Sequence, residues 1–170
     1  MAGGVRGLNQ GEAMRVAILF ANPRKKWTAA LARMFTGTYA FHCGFYDPAA
    51  REFYDISVVP RRVSWDHYRR PWIDAFAFDV DVTREQIEAF MREDARETYS
   101  FGDYALFAIR PFFRLFGREA PNSGGVICSE LVNNWLWRAG VRTPFDPADS
   151  PPSPTDLFLW LSTNGRRIDE

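Results

Sequence analysis

The sequence is short of the residues from which stapled or metal-bound folds are built: in 170 residues it has two cysteines, Cys43 and Cys128, and two histidines, His42 and His67. One pair of cysteines defines no disulfide framework, and a chain of this length buries a core without a bridge or a structural metal. No spacing of these residues resembles a zinc motif. His42 and Cys43, adjacent on a strand, point to opposite faces and so do not serve one ion together. No metal or other cofactor is expected. An excess of charge of either sign is also missing: Lys and Arg number 21 and Asp and Glu 21, so nothing in the balance argues for a nucleic-acid partner. No apolar run approaches the ~20 residues that span a bilayer, which predicts no transmembrane segment. The polar, glycine-rich stretch Met1–Ala13 has no apolar segment behind a charged start. A cytoplasmic chain, or one exported without a cleaved signal peptide, is expected. No internal repeat is visible.

What is abundant is apolar. A hydrophobic share of 46% excludes a disordered chain, and the aromatic share of 16%, concentrated in 101–116 and 135–137, points to large packed side chains. The basic runs Arg24-Lys25-Lys26, Arg61-Arg62 and Arg69-Arg70 are short and read as solvated loop charges. Residues 1–14 read as a flexible tail and 15–170 as one domain. Strands are expected over Arg15–Ala21, Tyr39–Tyr46, Glu52–Val59 and Trp72–Val80, the second and third joined as a hairpin through Asp47-Pro48-Ala49-Ala50. Residues 60–71 read as irregular. Trp27–Phe35 carries apolar residues at helical spacing. Thr83 followed by Gln86 is a capping-box start, with Ile87, Phe90, Met91 and Ala95 on one stripe behind it. A short helix kinked near Pro111 is expected within Phe101–Gly117. A further helix is expected over Val126–Ala139, stopped by Gly140, and a short closing one over Thr155–Leu161. Grouped rather than alternating elements favour an α+β fold with a small antiparallel sheet packed against helices.

Three residues stand where chemistry is plausible. Cys128 enters a helix through the glycine-rich loop Gly124-Gly125, at the positive end of the helix dipole, which lowers a thiol pKa and leaves backbone N–H groups free for an oxyanion. The same placement also suits an inert buried thiol. His42 shares a strand face with Ala40 and Gly44, small neighbours that leave space around an imidazole; a histidine satisfied by backbone or water fits equally. With a four-residue loop at 47–50, Tyr46 pairs with Arg51 and His42 falls opposite Asp55, whose carboxylate would then orient the ring. A solvated Asp55 is the alternative, since the register is an assumption. His67 reads as a surface group in a polar loop.

The string Cys128-Ser129-Glu130-Leu131-Val132 after a loop, an earlier strand with His42-Cys43-Gly44 and an acid on the next strand resemble the permuted NlpC-like papain group. This group includes bacterial amidase-like proteins and relatives of lecithin retinol acyltransferase. The histidine preceding the cysteine suits a circularly permuted order, and the resemblance covers roughly residues 15–140. Cys43 departs from it, because members commonly have a small aliphatic residue after the histidine. The resemblance implies Cys128 as nucleophile, His42 as base and Asp55 as orienting residue, with Tyr104 (in a Gly-x-x-Tyr-like segment) and Gly44 contacting substrate. It implies amide hydrolysis through a thioacyl intermediate on a peptide, peptidoglycan-like or lipid-linked substrate. A lipid acyltransferase or thioesterase, with Phe101–Phe116 lining an acyl site, and an inactive binding module are the alternatives.

Overall fold

The computed structural model describes residues 13–21, 40–56, 59–70, 72–96, 127–148 and 151–168. Among these, six strands form one antiparallel sheet: β1 Ala13–Ala21, β2 Ala40–Asp47, β3 Glu52–Ile56, β4 Pro60–Ser64, β5 Trp72–Thr83 and β6 Arg166–Ile168. Their order across the sheet is β4-β3-β2-β1-β5-β6. Four helices accompany it: α1 Trp65–Arg69, α2 Arg84–Glu93, α3 Cys128–Arg138 and α4 Pro154–Asn164. The class is α+β. No described helix is long and apolar enough to cross a membrane.

Strand alternation divides the buried side chains into two clusters. Val16, Ile18, Cys43, Phe45, Tyr54, Ile56 and Phe78 pack with Ile87 of α2, Leu131, Val132, Trp135 and Leu136 of α3, and Leu157 and Leu161 of α4. Ala17, Leu19, Tyr46 and Phe53 form the second cluster with Trp65 of α1. The capping box is present as expected: Gln86 N–H donates to the Thr83 hydroxyl and Thr83 N–H to the Gln86 side chain. Gly140, at φ 93°, takes the left-handed conformation that ends α3.

Four differences from expectation bear on the site. Strand β1 starts at Ala13, and Met14 is buried in the core, so the tail cannot extend to residue 14. The basic stretch after residue 59 is not irregular, because β4 and α1 occupy it. Pro60 is tolerated as the first residue of an edge strand, where its missing N–H costs no ladder bond. Arg61 and Arg62, read as solvated, pair across the ladder with Asp55 and Glu52. Exposed His67 lies on α1 rather than in a loop, while Trp65 of that helix is buried against Tyr46 and Phe53 with ring centroids 4.5 and 5.6 Å away.

The fourth difference is the hairpin register. Asp47 pairs with Glu52, Tyr46 with Phe53 and Phe45 with Tyr54, which moves the pairing two residues from expectation. The cause is Asp47, which stays in the strand and accepts from the N–H groups of Ala49 and Ala50 at 2.8 and 3.0 Å. The turn is thereby displaced to Pro48–Arg51, and Arg51 adopts φ 53° within it. A shift of two keeps every side chain on its face, so Asp55 remains on the same side as His42, one diagonal step away.

Trp135 fixes α3 to the sheet. It is fully buried, stacks on Phe45 with centroids 5.9 Å apart, and donates its indole N–H to Asp94 at 2.7 Å. Trp135→Ala should therefore lower stability by ~3–5 kcal/mol. Trp135→Phe keeps the ring and drops the hydrogen bond, and should cost on the order of 1 kcal/mol. Urea unfolding measures both; an unchanged midpoint in the alanine variant would show that α3 does not seat on β2.

Candidate active site

Helix α3 buries Cys128, Leu131, Val132, Trp135 and Leu136, a stripe at helical spacing, so its first residue faces the sheet together with the side chains that anchor it. Ile127, at the cap position, has no side-chain oxygen to occupy the first-turn amides. Two further contacts hold the helix start: the Ser129 hydroxyl donates to the Pro152 carbonyl at 2.6 Å, and the Asn133 amide to the Phe145 carbonyl at 2.9 Å. Cys128 is consequently placed by α3 packing on one side and by the contacts to Phe145 and Pro152 on the other.

His42 lies where β2 is locally irregular. Leu19 pairs with His42 but Phe20 with Ala40, which leaves Phe41 as an extra residue on β2, a bulge beside the histidine. The described β2–β3 ladder ends at Phe45–Tyr54, although β2 runs on to Ala40 along β1 and β3 runs on to Ile56 along β4. His42 and Asp55 meet past the end of that ladder, with His42 Nε2 2.7 Å from Asp55 Oδ2. An ionised carboxylate only accepts, so Nε2 carries the proton and Nδ1 is the nitrogen left for Cys128. The ring lies parallel to Trp72, with centroids 6.1 Å apart and a 10° angle between planes. Asp55 Oδ2 also accepts from the Tyr68 hydroxyl at 2.8 Å, and Oδ1 from Arg61 Nε at 2.9 Å. Cys128 is 2%, Asp55 1% and His42 8% exposed, which makes the imidazole the least enclosed of the three.

The charges support one another. Burial alone would raise the Asp55 carboxyl pKa, but hydrogen bonds from His42, Arg61 and Tyr68 outweigh it and hold the group below the ordinary carboxylate range. Burial also disfavours imidazolium, yet the charge of Cys128 and the hydrogen bonds with Asp55 and Cys128 push His42 up to about 10. At Cys128 the leading influence is a hydrogen bond from the Cys43 side chain. Against burial it is joined by the charge and hydrogen bond of His42 and a backbone hydrogen bond from Cys43, and the thiol pKa falls well below its usual value. Cys43 goes the other way: burial and the neighbouring Cys128 sulfur raise it, keeping it a protonated donor.

The structure thus brings together Cys128, His42 and Asp55. Gly44 requires a correction. A Cβ there would stand 2.4 Å from the Tyr54 carbonyl oxygen and 2.6 Å from the Phe53 ring, so Phe53 fills the space that the sequence suggested was open to substrate. Glycine is needed at this position for the close approach of β3. Tyr104 lies outside the described residues, as do Trp27–Phe35, Phe101–Gly117 and the loop before the cysteine. Three participants are not evident from the sequence: Arg61 and Tyr68, which clamp Asp55, and Cys43, which shares a core cluster with Cys128 and lowers its thiol pKa. The alternation of Arg61 and Val63 behind Pro60 was the one available signal for β4. No group of three His, Cys, Asp or Glu among the described residues is arranged to hold a metal ion. Compared with models of known protein families the chain matches none, and comparison with curated proteins gives no match either.

The thiolate should be present above the lowered Cys128 pKa, so alkylation by iodoacetamide should stay fast well below the ordinary thiol pKa of ~8.5. Asp55→Asn removes the charge that favours imidazolium, lowers the His42 pKa and lets the Cys128 pKa rise. Alkylation at pH 6 should then slow by about tenfold or more, one pKa unit being a factor of ten in thiolate. Superimposable pH profiles for parent and Asp55→Asn would show that the carboxylate does not act on the thiol through His42.

Proposed function

We propose that this chain is a cysteine-dependent hydrolase of the circularly permuted papain-like, NlpC-like type, which cleaves an amide bond through a thioacyl intermediate. The observation that carries the reading is the connected set Cys128–His42–Asp55, with the thiol at the first turn of a helix and the carboxylate buried behind the imidazole. The chain order, His42 on β2, Asp55 on β3 and Cys128 on the later α3, supports the permuted arrangement. Peptide, peptidoglycan-like or lipid-linked amides are the substrates it suits.

The Cys128 thiolate attacks the substrate carbonyl carbon, and the carbonyl π electrons move to oxygen. First-turn N–H groups of α3 face that oxyanion. As the tetrahedral adduct collapses, His42 imidazolium gives its Nδ1 proton to the departing amine, leaving a thioester on Cys128. Water then attacks the thioester while neutral His42 takes its proton, and the acid leaves as the thiolate reforms. Asp55 keeps Nε2 protonated and Nδ1 aimed at sulfur throughout. The acyltransferase reading drew on Phe101–Phe116, outside the described residues, so it enters only as an outcome of the test.

The test is to incubate the purified chain with a panel of peptide amides and acyl thioesters, then measure turnover and intact mass. An acyl adduct mapped to Cys128 is expected, with turnover abolished in Cys128→Ala and reduced ~10²–10⁴-fold in His42→Ala. Adducts from thioesters alone, passed to an added acceptor, would replace the amidase by an acyltransferase. Undiminished turnover in Cys128→Ala would sink the proposal, as would a panel that gives neither product nor adduct.

A further inference from the structure

Both oxygens of Asp55 accept hydrogen bonds, but their partners differ. Oδ1 accepts from Arg61 Nε at 2.9 Å, and Arg61 Nη2 lies 3.4 Å from Oδ2. This two-point contact and the burial of the side chain fix the plane of the carboxylate. Oδ2 then accepts twice at shorter range, from His42 Nε2 at 2.7 Å and from the Tyr68 hydroxyl at 2.8 Å. One carboxylate oxygen has lone pairs for both donors. With the plane already set by Arg61, the Tyr68 contact has a different consequence. It draws on the electron density of the one atom that supports the imidazole.

We propose that Tyr68 is a positioning residue of the acylation step: by donating to the Asp55 oxygen that accepts from His42 Nε2, it weakens that acceptor and leaves the imidazolium ready to release its Nδ1 proton. The inference rests on the hydrolase reading, in which that proton passes to the departing amine nitrogen as the bond from nitrogen to carbon breaks. A carboxylate oxygen bound to the imidazole alone would hold the imidazolium more firmly and slow the transfer. Tyr68 keeps its own proton throughout. Burial and the charge of Asp55 push the phenol above its ordinary value, so it remains a donor across the working pH range.

The hydroxyl is separable from the packing of its residue. Tyr68 lies on α1, which buried Trp65 anchors. Its ring stacks on Phe53 with centroids 5.0 Å apart, and the Arg61 guanidinium stands 5.3 Å from the ring centre. Phenylalanine retains these contacts and removes the donor. The charged and titratable groups facing Asp55 are His42 of β2, Arg61 of β4 and Tyr68 of α1, and Cys43 of β2 feels its charge. Those acting on His42 are Asp55 of β3 and Cys128 of α3, while Phe53 and Trp72 present uncharged rings to it.

The test measures turnover of an anilide and an activated ester of the same acyl group, across pH, in the full chain, Tyr68→Phe and Asp55→Asn. The alkaline limb of kcat/KM reports loss of the imidazolium proton. In Tyr68→Phe it should move up by about 0.5 pH unit or more, whereas in Asp55→Asn it should move down. Anilide kcat should fall about two- to fivefold at unchanged KM, and the ester, whose leaving group needs no proton, should keep its kcat. Replacing Tyr68 by 3-fluorotyrosine, a stronger donor of nearly the same shape, should move the limb down. A hydroxyl that served only packing, or only held Asp55 in place, would leave the limb of Tyr68→Phe unmoved or lower it. Either result overturns the proposal, as does an upward shift with 3-fluorotyrosine. The chain has two histidines, so their ¹⁵N shifts also follow the protonation of His42 directly, and a His42 that titrates no higher in Tyr68→Phe than in the parent overturns it too. A parent that turns over neither substrate removes the hydrolase reading and this inference with it; turnover in the parent with an unmoved limb in Tyr68→Phe removes the inference alone.

Discussion

Asp55 carries a carboxylate with 1% of its residue surface exposed, and a charge so placed is destabilising by several kcal/mol unless it is answered within the fold. The answers come from three separate elements: His42 of β2, Arg61 of β4 and Tyr68 of α1. Each contact constrains the element that supplies it. Edge strand β4 is held to β3 by a buried charge as well as by its ladder, and short α1 is tied down at one end by Trp65 and at the other by Tyr68. Phe53, whose ring closes over Gly44, stacks on Tyr68 with centroids 5.0 Å apart. Removal of the carboxylate charge therefore disturbs the imidazole, the edge strand and the helix together, which neutral packing at this site would not couple.

From this anchor, charges alternate in sign toward the thiol. Arg61 is positive, Asp55 negative and His42 imidazolium positive, joined by hydrogen bonds, and the charge of His42 favours the negative form of Cys128. Isolated in this interior, thiolate or imidazolium would be driven to its neutral form by desolvation. In series, Asp55 and His42 each lie between groups of opposite sign, which offsets the desolvation of both. Cys128 and His42 consequently titrate as a unit, and an apparent pKa from any one probe belongs to the pair rather than to either residue.

The sequence made visible those features that rest on short-range signals. The Thr83–Gln86 capping box, the Gly140 stop and the apolar stripe of α3 each depend on residues within a turn or two, and all three occur where expected. The face shared by His42 and Asp55 was legible for a different reason: strand alternation survives a register error of two residues. The register itself was not legible, because Asp47 served equally well as a loop residue or as a strand end that caps the turn with its own side chain. Strand β4 was hidden by its arginines, which look solvated until Asp55 and Glu52 are set opposite them. Clamp residues 61 and 68 were missed for the same reason, since long-range ion pairing leaves no local periodicity.

Alternation sets His42 and Cys43 on opposite faces of β2: Cys43 lies in the core cluster with Phe45, while His42 reaches Asp55. Both nonetheless act to lower the thiol pKa of Cys128. A flat, continuous sheet would keep the two apart, with α3 reaching only the face that Cys43 shares with Phe45. Two irregularities remove that barrier: the extra residue at Phe41 and the end of the β2–β3 ladder at Phe45–Tyr54. A bulge increases local twist and re-aims the side chain beside it. The site thus depends on a local departure from sheet regularity, beside which Gly44 lets Phe53 and the Tyr54 carbonyl approach closely.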